Sequence, residues 1–175
     1  ESDLQHGKTY LVARDDEVSY LQGHGLRSIA VGLPIVYAET SGTIERITNS
    51  LLVMPAHSLD YTTHDWKFAE YAKQIAELQQ SFDVVAVCIH PSCVRQGYWV
   101  KEFAALGMPI IHGAEVSDMN GLERMATLMK SFTHVTTNCL GSQVPYASAF
   151  GAKVSIWGTY AENRPQDLSN APFYQ

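Results

Sequence analysis

Three short segments of the 175-residue sequence gather imidazoles, hydroxyls and glycine in ways that suit an anion. They are Pro55-Ala56-His57-Ser58, His90-Pro91-Ser92, and Thr136-Thr137-Asn138-Cys139-Leu140-Gly141-Ser142. Each follows a short apolar or β-branched run, so each is polar where a strand hands over to a loop or helix. In the third, a helix beginning at Ser142 turns the amides of Ser142, Gln143 and Val144 outward. Such a helix end carries about half a unit of positive charge, which suits a phosphate. The plainer reading is ordinary capping, with Thr137, Asn138 or Ser142 satisfying those amides. His90, fixed by Pro91, can donate a hydrogen bond to a phosphate or act as an acid. Its plainer reading is a strand end closed by a proline turn, and His57 carries the same pair of readings.

For acid–base work the carboxylates Asp60, Asp65, Glu102, Glu115 and Asp118 are available. Glu115 and Asp118 follow a strand ending near His112. Asp118 reads as a cap for the next helix, which leaves Glu115 and His57 as the catalytic candidates. His57, His64, His90 and His112 lack HxxxH spacing and a carboxylate partner, so no metal site is expected. No cofactor is implied. Lys67, Glu70, Lys73 and Glu77 read as a solvated helix face.

The elements that must position these residues alternate regularly. Strands are expected at 51–54, 83–89, 108–111, 134–137 and 153–157, and helices at 64–80, 92–106, 119–132 and 142–150. Asp83–Ile89 is apolar on both faces, as in a central parallel strand covered on two sides. This alternation predicts an α/β fold, a Rossmann-like parallel sheet with helices on both faces. Ligands of such sheets bind beyond the carboxyl ends of the strands, where the three segments fall. Residues 1–45 read as an extension with a short β-α-β pattern (strands 9–13 and 28–31, helix 15–22), and 46–158 as the nucleotide-binding domain. The stretch 39–50 reads as a linker and 159–175 as a polar tail.

Composition narrows the class. With 46% hydrophobic and 17% charged residues the chain is globular. A net charge of −6 with scattered Lys and Arg excludes a nucleic-acid partner, which requires concentrated cations. No apolar run approaches the roughly 20 residues of a membrane span. The polar first residues do not read as a secretory leader. Cys88, Cys93 and Cys139, odd in number and without CxxC spacing, point to free thiols in a reducing compartment, read as the cytoplasm.

Taken together, His57, His90-Pro91 and Val135–Gly158 (VTTNCLGSQVPYASAFGAKVSIWG) resemble bacterial surface-polysaccharide glycosyltransferase-like proteins of the GT-B fold. In that architecture two Rossmann-like domains face each other across a cleft, and several branches carry a His-Pro motif and a later Ser/Thr motif that hold the donor nucleotide. The run from Gly141 through Tyr146-Ala147 and Phe150-Gly151 is also similar to the nucleotide grip of non-hydrolysing sugar-nucleotide epimerases. The resemblance covers about residues 25–158. It implies one half of a GT-B protein that binds a CMP-, CDP- or UDP-linked sugar for polysaccharide synthesis. His90, with Pro91, would contact the donor phosphate. Thr137 and Ser142, with the Gln143 amide after Gly141, would hold phosphate or ribose; Tyr146 would pack behind the site, and Glu115 would read base or ribose. A full GT-B enzyme is about twice this length, so a partner chain or a homodimer completing the cleft is expected. The alternatives are a non-catalytic nucleotide or phospho-sugar binding module and an epimerase-like protein.

Overall fold

A computed structural model describes residues 7–40, 42–115 and 117–168. The chain divides into two compact units, at residues 1–39 and 40–175.

The first unit is a single β-α-β element. Strands β1 (Thr9–Val12) and β2 (Arg27–Ala30) pair in parallel, with helix α1 (Asp15–Gly23) between them in sequence. Glu17 closes the start of α1 by accepting from the Ala13 and Arg14 amides.

The second unit is a five-stranded parallel sheet made of β3 (Ile47–Val53), β4 (Val84–Ile89), β5 (Ile110–His112), β6 (Phe132–Thr137) and β7 (Lys153–Ile156). The strands run in the order β5-β4-β3-β6-β7, all neighbours parallel. Counted within this unit the order is 3-2-1-4-5, that of a doubly wound Rossmann-like sheet. Helices α2 (Phe68–Gln79), α3 (Pro91–Arg95) and α4 (Val100–Ala105) connect β3 to β4 to β5. Helices α5 (Gly121–Ser131) and α6 (Gln143–Ala149) belong to the other half.

Alternation along the strands fills two cores. Leu51, Val53, Val85, Val87 and Ile89 point into one, with Tyr71, Ile75, Trp99 and Phe103. Leu52, Ala86, Cys88 and Val135 point into the other, with Met129 and Ala147. Both faces are therefore covered, which is why the middle of β4 carries no polar residue. On α2, Tyr71, Ala72 and Ile75 form the buried stripe while Glu70, Lys73 and Glu77, with Lys67 just before the helix, are exposed.

Several boundaries differ from the sequence expectation. Strand β3 starts at Ile47, inside the stretch read as a linker, because its polar first half lies at the sheet's open end and only Ser50 to Val53 is buried. Asn49, at φ 46°, marks a register shift between β3 and β6 there. Helix α2 starts at Phe68, since His64 and Trp66 are drawn into an aromatic cluster. The helix expected over 92–106 is two. Gly97 (φ 75°) and Trp99 (φ 69°) reverse the chain between them, and the buried Trp99 ring packs on Trp66, Phe68 and Tyr71. A positive φ at a bulky residue is uncommon and persists only where its surroundings hold it.

The residues after β7 pack back on the sheet. Ala161 is buried in the first core, its amide donates to the Asn138 carbonyl at 2.8 Å, and Trp66 Nε1 donates to the Glu162 carbonyl at 2.9 Å. A 3₁₀ turn at Pro165–Leu168 places Asp167 beside His64. Among the described residues no helix is long and apolar enough to cross a membrane. The three cysteines are free and buried.

Candidate functional site

His57 sits on the loop that leaves β3. Its neighbours are fixed on both sides. The Ala56 amide donates to Asn138 Oδ1 at 2.9 Å, and the Ala56 carbonyl accepts from Trp99 Nε1 at 2.8 Å. The Ser58 amide donates to Cys93 Sγ at 3.1 Å, and the Ser58 hydroxyl lies 2.6 Å from Thr62 Oγ1. Pro55, Ala56 and Ser58 are buried, whereas His57 is exposed. A rigid loop thus displays one imidazole at the carboxyl edge of the sheet.

His90 ends β4 and caps α3, beside His57 with ring centroids 5.0 Å apart. Its Nδ1 lies 2.6 Å from Ser92 Oγ and 3.2 Å from the Ser92 amide. Ser92, itself buried, donates its hydroxyl proton to the Ser58 carbonyl. Pro91 leads α3 at the position where a missing N–H costs nothing. Burial pushes the half-buried His90 below the ordinary histidine range; His57 and Arg95 push the same way, and Glu115 and Asp60 pull against them.

One turn further along α3, Arg95 reaches across the edge. Its Nε and Nη2 donate to Asp60 at 2.9–3.1 Å, and Nη1 pairs with Glu115 after β5. These hydrogen bonds raise the Arg95 pKa, and the same contact holds the Asp60 carboxyl below its usual value. Three strand ends, β3, β4 and β5, are thereby tied into one polar rim: His57 and Asp60, His90 and Arg95, Glu115.

The β6 end is arranged differently. Thr137 is fully buried, and its hydroxyl accepts from Gln143 Nε2 at 2.9 Å and the Cys139 amide at 3.4 Å. Gln143 is buried as well and also donates to Cys139 Sγ. Gly141 lets that side chain fold back, since a Cβ there would run into the Gln143 amide. The Val144 amide, expected to face a ligand, donates instead to the Gly141 carbonyl at 3.1 Å. Helix α6 has only seven residues, so its dipole is weak. Ser142 is exposed, and Tyr146 packs against the second core.

Between these two places lies the topological switch, where β3 and β6 adjoin. The chain fills it itself. Asn138, 1% exposed, takes the Ala56 amide on Oδ1, gives Nδ2 to the Thr159 carbonyl at 3.2 Å, and accepts the Ala161 amide. His90 and Thr137 end strands that flank β3, roughly 9.5 Å apart by strand spacing. The structure therefore brings His57, His90, Pro91 and Glu115 to one rim. It leaves Thr137 and Gln143 inside the β6 loop, with Gly141 and Ser142 beside them.

Asp60, Arg95, Trp99 and Asn138 complete the site with Ser58 and Ser92; the sequence marks the two serines only as part of their segments, Asp60 as a spare acid and Asn138 as a cap. Ser92 and Arg95 had a signal, as the polar residues of the turn that follows His90-Pro91. Trp99 and Asn138 had none, because their partners lie 43 and 82 residues away. Elsewhere, a cavity of about 500 Å³ on the first unit is lined by Thr9, Leu26, Arg27 and Ile29, and Arg27 there donates to the Gly7 carbonyl.

No protein-family model matches the chain, and no curated protein matches it. Among solved structures, one similar chain is described as "Crystal structure of GtfA/B complex", at 11% identity and a TM-score of 0.41. The alignment covers 83% of this chain and 29% of that chain. The second unit is a Rossmann-like α/β fold on the strength of its own strand order.

Proposed function

We propose that the second unit is the donor-nucleotide half of a glycosyltransferase-like protein and binds a pyrimidine-nucleotide-linked sugar for polysaccharide synthesis. The observation that carries this reading is the imidazole pair His57–His90 on a rigid rim at the carboxyl edge of a 3-2-1-4-5 parallel sheet. In this reading His90 faces the leaving phosphate and stabilises the charge that builds there. His57 lies beside it, and the exposed Ser142 meets the ribose. Thr137, Gly141 and Gln143 shape the β6 loop from within, Pro91 fixes the His90 backbone, and Tyr146 backs the loop. A second chain or a further domain supplies the acceptor side of the cleft, and Glu115 and His57 are this chain's own acid–base candidates.

The test is calorimetry against CMP, CDP, UDP and UDP-sugars. The expected outcome is weak binding, with His90→Ala reducing affinity at least tenfold while the chain stays folded, less stable by the roughly 1 kcal/mol of a lost helix cap. No heat from any of these at millimolar ligand would overturn the proposal.

A second reading, a non-catalytic nucleotide or phospho-sugar module, draws support from Glu115. The carboxylate nominated as base is already paired with Arg95. Turnover assays separate the two, because the module binds without releasing free nucleotide from a nucleotide-sugar.

A further inference from the structure

We propose that His57 and His90 bind the ligand's phosphate with uptake of a proton from solvent, and that Ser92 imposes this coupling by fixing the tautomer of His90. The inference rests on the reading of this rim as a phosphate site.

The hydrogen-bond chain sets the tautomer. Ser92 has one hydroxyl proton, and it goes to the Ser58 carbonyl, a buried acceptor. Ser92 Oγ must then accept from His90 Nδ1, 2.6 Å away. The neutral ring has a single N–H, so with Nδ1 protonated its Nε2 is a bare lone pair. A bare lone pair repels a phosphate oxygen. Binding therefore adds a proton at Nε2, giving an imidazolium that donates from both nitrogens: Nδ1 to Ser92 and Nε2 to the phosphate. The Ser92 amide donates to Nδ1 at 3.2 Å in the competing tautomer, and the Nδ1–H form gives up this longer cap bond. The competing tautomer would strand the Ser92 hydroxyl against the Ser58 carbonyl as two acceptors.

Local charge points the same way. The groups facing His90 are His57 from the β3 loop, Asp60 from the same loop, Arg95 from α3 and Glu115 after β5. With both histidines neutral, Arg95 (+1) against Asp60 and Glu115 (−2) leaves a net −1. An arriving phosphate meets a negative rim unless the imidazoles gain charge. In the free protein two imidazolium rings 5.0 Å apart would repel, and burial also disfavours charge on His90. The phosphate removes both penalties at once, so it and the proton bind together.

The test is calorimetry of the full chain with CMP, CDP and UDP at pH 7.5–8.5, where the nucleotide phosphate is already deprotonated, in two buffers of different ionisation enthalpy. The expected result is uptake of close to one proton per ligand, with affinity falling about tenfold per pH unit, the limiting slope for one linked proton. Ser92→Ala frees Nδ1 to accept the backbone amide and moves the proton to Nε2. It keeps binding but flattens the pH slope, and Ser92→Thr restores the slope. Independently of any variant, the ¹⁵N imidazole spectrum of the ligand-free protein shows the Nδ1–H form of His90. Binding without proton uptake, or an Nε2–H tautomer in the free protein, overturns the inference and leaves the nucleotide reading standing. Absence of binding overturns both.

Discussion

Asn138 joins three segments of the second unit although it carries no nominated chemical role. One buried amide ties the His57 loop to the β6 loop and both to the returning chain at Thr159. Asn138→Ala leaves the Ala56 amide and the Thr159 carbonyl without these partners. The buried Ala56 amide alone costs about 1–3 kcal/mol when left unpaired. The expected outcome is a lower unfolding midpoint in denaturant together with weaker nucleotide affinity, because the His57 loop loses its anchor; wild-type stability would refute the role. The residue roles that were legible in the sequence are those whose chemistry is local. His90-Pro91 announces itself as a strand end, and His57 follows an apolar run. Thr137 and Gln143 turn inward and bond each other in the β6 loop, which the pattern does not reveal because it cannot say which way a buried hydroxyl turns. Asn138 reads as a cap until Ala56, far away in sequence, is placed beside it.

At the level of elements, the strands buried on both faces were plain from their apolar runs, β4 above all. The breaks were not. Gly97 sits in a window that otherwise reads as helix, and the Trp99 backbone is set by the indole's place among Trp66, Tyr71 and Phe103. The returning segment 159–168 also read as a polar tail, since its docking depends on one small residue, Ala161, and on groups of α2 and its approach. Thr159 donates to Gln74 at 2.8 Å, Arg164 pairs with Asp65, and Asp167 lies 3.4 Å from His64 Nδ1. The His64 side chain is 4% exposed and stacked on Trp66, and burial pushes its pKa down although Asp167 and Asp65 pull it up. His90 is shifted the same way. Both groups have folded-state values below the ordinary 6.5, so the stability they contribute is present above pH 6.5 and lost as the pH falls through the folded-state values. Urea unfolding at pH 7.5 and pH 5.5 is expected to show the lower midpoint at pH 5.5. His64→Phe, which keeps the stack on Trp66, is expected to lose part of that difference; an unchanged difference would remove His64 from the account.

On the scale of the whole molecule, the sheet order decides where a ligand can lie. The doubly wound order opens a crevice between β3 and β6, and here Asn138 and the segment after β7 occupy it. The polar rim is consequently displaced toward β4 and β5, where His57, His90 and the Arg95 ion pairs stand. The most direct test is a ¹H–¹⁵N titration of the labelled chain with CMP, CDP and UDP. Shifts concentrated at residues 56–60, 90–95 and 113–115 are the predicted result. Shifts confined to the first unit, or none at millimolar nucleotide, would contradict it.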